Sequence, residues 1–179
     1  MGCYYLNFLG SPTEVVSYTE AKIMRNKISE NVINQIRQDL NNLYKSVSKE
    51  LSQLSAPCRA CGFCCHFGEA KHYLYASTLE SIYIFDKYHA KPMHPNSHVC
   101  PFLKNEKCSI RDRRMLGCRT YFRLHTKKEK IKAEEIYEHN LLILKQLHNK
   151  YKIDWNYQDC ILIFQRQFGI IKKMPLNKK

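Results

Sequence analysis

The chain has 179 residues, and its 29 Lys and Arg residues against 16 Asp and Glu give a formal net charge of +13. Hydrophobic residues make up 44% of the chain, which supports a buried core and excludes a disordered protein. No apolar run approaches the ~18 residues that a membrane span needs, and the first residues do not form a secretory signal. We therefore expect a cytoplasmic protein without membrane contact, whose thiols stay reduced and available to metals.

The first predicted element is a long helix over residues 19–55. One apolar face is formed by residues spaced three or four apart: Ile33, Ile36, Leu40, Leu43, Val47, Leu51 and Leu54. This face is expected to pack on its own domain. A coiled-coil dimer is the alternative, so the sequence leaves the oligomeric state open. Pro57 ends the helix just before the first cysteine cluster.

Around the cysteines the chain predicts irregular structure. Residues 58–68 are expected to form a loop in which Gly62 and Gly68 permit the backbone reversals that wrap a metal. Residues 100–123 are also predicted to be loop-like, since proline and glycine stand beside their cysteines. No run of alternating apolar and polar residues predicts a strand.

Three further helices are predicted. The second helix of the chain begins at Ser77, which forms a capping box with Glu80. The third covers residues 129–151 and has one mainly apolar face. The fourth covers residues 156–168 and is capped by Asn156.

Together these elements predict a mainly α fold, with helices packed around an irregular, metal-stapled cysteine loop core. Residues 1–56 are predicted to form an N-terminal helical extension, and residues 57–123 the cysteine-cluster metal-binding domain. Residues 124–179 are predicted to form C-terminal helices that pack on the same domain.

Seven of the nine cysteines form two clusters. They are Cys58, Cys61, Cys64 and Cys65 in the first cluster, and Cys100, Cys108 and Cys118 in the second. Two thiolates three residues apart can converge on one ion, because tetrahedral zinc with Zn–S bonds of about 2.3 Å places its sulfurs roughly 3.8 Å apart. We therefore predict all seven as metal ligands. Cys160 stands in an apolar helix and is expected to pack as a small hydrophobe.

The sequence leaves open how the seven thiols divide. Four can close one site, as structural zinc or as a cubane cluster, and the other three then need a nitrogen or oxygen ligand or leave a position open. His66 and His98 lie nearest in sequence. Cys65 serves a second centre or takes the place of Cys64. The alternative is a single metal centre with the remaining thiols buried.

The cysteine segments resemble the YkgJ-type cysteine-cluster proteins, which carry a zinc- or iron-chelating domain. The matching motifs are CRACGFCC at 58–65, CPFL at 100–103 and CSIRDRRMLGCRTY at 108–121. All seven family cysteines are present, but Arg111 stands where the family has Tyr and Met115 where it has Pro. The resemblance covers a little over a third of the chain.

This resemblance implies zinc or iron, often as an iron–sulfur cluster, with no settled reaction for most members. The same kind of domain occurs in a flagellin lysine-N-methylase, but a shared module does not fix a function. We favour an iron–sulfur cluster or iron over Zn²⁺. The sequence does not decide between them, because both accept thiolates at these spacings.

Two arginines flank Cys118, and a tyrosine follows. Arg114 and Arg119 are predicted to donate to cluster sulfurs or to bind an anionic substrate; the alternative is charge neutralisation and a salt bridge. Tyr121 is predicted to pack and hydrogen-bond around the same site. These three residues are the candidates for cofactor binding.

The positive charge is concentrated in residues 104–132, which hold eleven Lys or Arg and three acids. This segment suits an anionic partner such as nucleic acid or an acidic protein, although a Lys-rich surface without a partner explains it as well. Three functions are therefore open: an iron–sulfur or iron protein with a redox or enzymatic role, a zinc-stapled binding module, and a metal-handling chelator. Whether the chain is an enzyme stays open, but no metal-independent catalytic motif is visible.

Overall fold

The computed structural model describes residues 28–54, 58, 60–88, 98–121 and 126–167. This part of the chain is mainly helical, as predicted. Its α-helices are α1 (Glu30–Leu51), α2 (Phe67–Ala70), α3 (Thr78–Phe85), α4 (Leu116–Thr120), α5 (Lys127–Tyr151) and α6 (Cys160–Gln167). Its strands are β1 (Tyr75–Ser77), β2 (Leu103–Lys104), β3 (Lys107–Cys108) and β4 (Tyr157–Asp159).

Helix α1 buries the predicted apolar face. Ile33, Ile36, Leu40, Leu43 and Val47 are all buried, which confirms the spacing argument. The helix is shorter than the predicted 19–55, because Ser29 has extended backbone and its hydroxyl accepts from the amide of Val32. It ends at Leu51, and the predicted residues 19–27 lie outside the described part of the chain.

Two capping boxes define the starts of α3 and α5. Ser77 and Glu80 cap α3 as predicted, with both reciprocal hydrogen bonds present. Thr126 and Glu129 form the same arrangement at α5, which therefore begins at Lys127, two residues before the predicted start. These helices were predictable because their start signals lie within four residues of sequence.

The predicted start of the fourth helix is wrong. Residues Tyr157–Asp159 form β4, which pairs antiparallel with β1. Asn156 does not cap a helix; its carbonyl oxygen accepts from the amide of Thr78 (3.2 Å). Helix α6 begins only at Cys160, where the Asp159 carboxylate accepts from the amide of Ile161 (2.8 Å).

The two predicted loops also contain regular structure. Within residues 58–68 there is a 3-10 turn at Phe63–Cys65, and α2 begins at Phe67. Residues 100–123 contain the β2–β3 hairpin, a second 3-10 turn at Arg111–Arg113, and α4. Hydrogen bonds between neighbouring segments stabilise these short elements, and sequence periodicity over so few residues does not reveal them.

Two apolar cores hold the described fold together. The helical core joins α1, α3, α4 and α5, with Leu40, Val47, Leu79 and Leu144 fully buried. The cysteine-side core joins β1, α3, the hairpin and α6 through Phe102, Phe164 and their neighbours. Within the described residues, no helix combines the length and apolar composition of a membrane span.

Glu80 connects the helices at the boundary of these cores. Its side chain is fully buried and accepts hydrogen bonds from the Tyr44 hydroxyl (2.8 Å), the Leu116 amide (2.7 Å) and the Ser77 amide (2.8 Å). Burial raises the pKa of this carboxyl, although its hydrogen bonds oppose the shift. One acidic side chain thus ties α1 and α3 to the start of α4, the helix that carries Cys118.

Candidate metal centre

Gly62 turns the first cysteine cluster toward the β2–β3 hairpin. Its φ is 72°, and a Cβ placed there would lie 2.3 Å from the carbonyl oxygen of Glu106. Glycine is needed here because both the left-handed backbone and the close approach exclude a side chain. The following 3-10 turn is closed by a bond from the Cys65 amide to the Gly62 carbonyl (2.8 Å). Cys64 and Cys65 are thereby held beside the hairpin.

The two cysteine clusters meet along the backbone at Cys65 and Cys100. The amide of Cys100 donates to the carbonyl of Cys65 (2.8 Å), and the residues beside them form an isolated antiparallel bridge. The chain then enters the hairpin, in which Cys108 pairs with Leu103. These backbone contacts bring residues that are far apart in sequence to one place.

The thiol of Cys65 is in hydrogen-bonding contact with three other thiols. The side chain of Cys65 is hydrogen-bonded to those of Cys100, Cys108 and Cys64, and these bonds, with burial, raise the pKa of Cys65. The bond with Cys65 lowers the pKa of Cys64 to about 7 and that of Cys108 to about 6, against the effect of burial. The lowered pKa values of Cys64 and Cys108 favour the thiolate, the form that binds metals.

Helix α4 brings Cys118 to the same region. Burial raises the pKa of the Cys118 thiol, and the nearby charges of Cys100, Cys64 and Cys108 raise it further. Five of the seven predicted ligands therefore share one neighbourhood. They are Cys64, Cys65, Cys100, Cys108 and Cys118.

These thiols are not at metal-binding distances. Within the described residues, no group of three or more His, Cys, Asp or Glu side chains is placed so that it could hold a metal ion. The predicted metal-stapled core is therefore not shown, whereas the mainly helical architecture is. All eight cysteines in the described residues are free thiols, so none is bound in a disulfide.

Two arginines contact Cys58, which opens the first cluster. Arg111 donates from Nη1 to the sulfur (3.4 Å) and from Nη2 to the carbonyl oxygen of Cys58 (3.2 Å). Arg114 donates from Nη1 to the same sulfur (3.4 Å) and to the carbonyl oxygen of Cys118 (3.2 Å). Burial opposes ionisation of Cys58, but the Ala60 backbone and the two guanidinium groups lower its pKa.

The sequence motifs indicate Arg114 as a site residue but not Arg111. The Arg111 side chain is exposed, and it stands where the resembled family has tyrosine, so no motif assigned it a role. Its positive charge, three positions after Cys108, was the available signal. We refer below to Arg111 and Arg114 as the arginine pair.

The remaining cysteines differ in exposure. Cys61 is exposed, so a metal held by this thiol would lie near solvent. Cys160 is fully buried in the cysteine-side core, which confirms the prediction that it packs as a small hydrophobe.

Arg119, a predicted cofactor-binding residue, contacts the backbone before α4. It donates from Nε to the carbonyl of Arg114 (2.7 Å) and from Nη2 to that of Asp112 (2.7 Å). Its guanidinium carbon lies 4.2 Å from the centroid of the Tyr44 ring, and burial lowers its pKa. This buried arginine therefore orders the segment between the 3-10 turn and α4.

Tyr121 packs against the cysteine-side core and contacts a histidine beside the first cluster. Its ring stacks on that of His72 with centroids 4.3 Å apart, and Nε2 of His72 lies 3.2 Å from the carbonyl oxygen of Cys64. His72 could not be identified from the sequence, because no spacing or motif links it to the cysteines. The two rings support the backbone of the first cluster.

The two candidate histidine ligands lie at the edge of the region. His66 Nε2 is 2.9 Å from a carboxylate oxygen of Glu106, so its side chain is engaged with the hairpin. His98 is exposed, and its Cβ lies 3.1 Å from the position of a Cβ built on Gly68. Neither histidine joins a group that could hold a metal ion within the part of the chain described.

A cleft of about 510 Å³ borders the helix that carries Cys118. Gly117, Thr120 and Tyr121 line one side of it, and α5 contributes Lys130 and Glu134. Gly117 directly precedes Cys118 in sequence, but no cysteine of the described residues lines the cleft.

The comparison with protein families assigns the chain to one family. Residues 57–161 match the sequence model described as "CxxCxxCC: Putative zinc- or iron-chelating domain". The match covers more than half of the chain, which therefore belongs to this zinc- or iron-chelating family, as the cysteine motifs indicated. It extends beyond Cys118 through α5 and β4 to the start of α6. Neither a curated protein nor a solved structure gives a significant match to the chain.

The residues present fit zinc or iron in their chemistry. Thiolates are the soft ligands that suit both metals, and the lowered pKa values of Cys58, Cys64 and Cys108 favour that form. The arginine pair supplies positive charge beside a site that would carry excess negative charge. Coordination would require the sulfurs to adopt distances different from those seen here.

Proposed function

We propose that this chain is a metal-binding protein whose two cysteine clusters together hold zinc or iron, with an iron–sulfur cluster or iron preferred. The convergence of five thiols from the two clusters supports the proposal most strongly. The family's description as a zinc- or iron-chelating domain supports it independently. The cytoplasm, as a reducing compartment, would keep these thiols available.

The hydrogen-bonded thiols would form one ligand set, consisting of Cys64, Cys65, Cys100 and Cys108. Cys118 lies beside them, and Cys58 and Cys61 would complete the seven. Bound iron would supply one-electron redox chemistry or a Lewis acid, whereas bound zinc would chiefly stabilise the fold. Arg114 would hold Cys58 and the Cys118 backbone, Arg119 would order the start of α4, and Tyr121 would support the Cys64 backbone through His72.

A zinc-stapled binding module is the second candidate. Exposed lysines on the hairpin and at the start of α5 favour it: Lys104, Lys107, Lys127, Lys128, Lys130 and Lys132. They belong to the basic 104–132 segment, for which we propose an anionic partner such as nucleic acid. Binding that depends on this surface would weaken steeply as salt is raised.

Metal handling is the third candidate, favoured by the exposure of Cys61. A thiol that solvent reaches allows an incoming chelator to begin ligand exchange. A handling protein would therefore release its metal readily to a competitor, whereas a closed structural site would not.

Purification without oxygen, followed by elemental analysis and an absorption spectrum, tests the proposal. An iron–sulfur protein would contain iron and sulfide and absorb at about 400 nm. A zinc module would be colourless and contain zinc alone. Cys61→Ser should lower the metal content, whereas the matched Cys160→Ala should retain it because Cys160 packs in the core. Full metal content in Cys61→Ser would remove Cys61 from the ligand set.

A further inference from the structure

Arg111 is joined to Cys58 at two atoms, the sulfur and the carbonyl oxygen. A planar guanidinium that donates to both atoms fixes the thiol together with the backbone that carries it. Lysine has a single charged nitrogen on a flexible stem and would not reproduce both contacts. The arrangement is therefore specific to arginine at this position.

The arginine pair also faces the second cysteine cluster. Arg111 stands three residues after Cys108 in the sequence, and Arg114 donates to the carbonyl oxygen of Cys118 (3.2 Å). The two guanidinium groups thus reach Cys58 from the segment that joins Cys108 to Cys118. Cys58 lies far from this cluster in sequence, and these contacts tie it there.

We propose that Arg111 is a positioning residue, which holds Cys58 beside the second cysteine cluster so that the Cys58 sulfur enters the ligand set. The proposal rests on the metal-binding function for its consequence, but the contact itself involves only the protein. Arg114 shares the sulfur of Cys58, whereas Arg111 alone of the pair also contacts the Cys58 carbonyl. Removing Arg111 therefore releases the backbone that carries this ligand.

The test measures Cd²⁺ binding by the full chain, because Cd²⁺–thiolate bonds give an ultraviolet charge-transfer band that reports the number of sulfur ligands. Arg111→Met should weaken Cd²⁺ affinity about tenfold, which is typical of losing a residue that orients a metal ligand. It should also remove the part of the band that Cys58→Ser removes. In the double variant, adding Arg111→Met to Cys58→Ser should cause no further loss of Cd²⁺ affinity, since the effect on binding acts through the Cys58 sulfur.

Two further variants sharpen the result. Arg111→Lys should recover only part of the affinity. Lys45→Met removes one positive charge from α1, outside the cysteine region, and should leave both readouts unchanged because Lys45 is exposed. Unchanged Cd²⁺ binding in Arg111→Met, or the same loss with and without Cys58, would overturn the proposal.

Failure of the metal-binding function itself would show differently, as a wild-type chain that takes up no Cd²⁺. The contact can then be tested in urea unfolding with chelator and reductant present. Arg111→Met should lower the unfolding midpoint, whereas Lys45→Met should not, because Arg111 holds Cys58 at both its sulfur and its carbonyl oxygen. An unfolding midpoint of Arg111→Met equal to that of the wild type would overturn the positioning role independently of any metal.

Discussion

Replacing Glu80 with alanine should strongly destabilise the fold, because Glu80 accepts three buried hydrogen bonds. The amides of Ser77 and Leu116 and the hydroxyl of Tyr44 would lose their acceptor. Each buried donor left without a partner costs about 1–3 kcal/mol. Because the Tyr44 hydroxyl can reorient, two amides dominate, and we expect a loss of about 2–6 kcal/mol in the free energy of unfolding.

The measurement is urea unfolding of the metal-free chain, followed by circular dichroism. Glu129→Ala is the matched control, since Glu129 occupies the same capping-box position in α5 at an exposed helix start. It should cost only about 0.3–1.5 kcal/mol. The loss in the free energy of unfolding for Glu80→Gln should lie between those of the two alanine variants. The amide oxygen of Gln can still accept a hydrogen bond, while its NH₂ group cannot accept from the Ser77 amide.

The pKa of Glu80 adds a second readout. Because burial raises this pKa in the folded state, the folded chain binds the proton more tightly than the unfolded chain. Stability from this group is therefore fully present below the unfolded pKa and falls as pH rises through the folded pKa. Glu80→Gln should remove that fall. Similar losses in Glu80→Ala and Glu129→Ala would refute the reasoning that Glu80 links α1, α3 and α4.

Three further predictions concern other contacts. Gly62→Ala should lower the free energy of unfolding by at least about 1 kcal/mol and weaken metal uptake, since its Cβ would lie 2.3 Å from the carbonyl oxygen of Glu106. In the same urea titration, Gly68→Ala should lower the free energy of unfolding less, because its nearest contact is at 3.1 Å. Asp86 accepts from Arg37 (2.9 Å) and Arg113 (2.7 Å), and these bonds lower its pKa despite burial. Asp86→Asn should therefore lower the free energy of unfolding by about 1–3 kcal/mol at pH 7. This difference in stability from the wild type should shrink as pH falls through the folded pKa of Asp86. A stability difference that stays constant down to pH 2 would contradict this. Burial lowers the pKa of His148, whose Nδ1 lies 3.1 Å from the carbonyl oxygen of Ile153. Stability should therefore fall as pH drops below the ordinary pKa of histidine. In thermal melts, His148→Gln should reduce this loss of stability at low pH.

Local signals in the sequence predicted the helices well. The apolar spacing of α1 and the Ser77–Glu80 capping box depend on residues within one or two turns, so the sequence contains them directly. The start of α6 could not be predicted in this way, because β4 forms only by pairing with β1, some eighty residues earlier. Asn156 resembles a helix cap in the local sequence, but the residues that follow it form β4 because they pair with β1.

Cysteine spacing predicts seven thiol ligands, and the structure brings five of these thiols together in or against the cysteine-side core. Their binding of a metal stays a prediction, and the contacts around them could not be predicted from spacing. The contacts of Arg111 with Cys58 and of His72 with Cys64 cross between separate segments, so no spacing rule reveals them. Arg119 belongs to the cysteine motif and was predicted to donate to cluster sulfurs or bind an anionic substrate. Its two hydrogen bonds instead order the backbone before α4.

X-ray absorption at the metal edge of protein purified without oxygen tests the central claim most directly, because it reports the atoms bound to the metal. The account predicts a shell of sulfur neighbours at about 2.3 Å around zinc or iron, reduced when Cys64 or Cys108 is replaced by serine. A protein that carries no metal, or a metal surrounded only by nitrogen and oxygen, would contradict it.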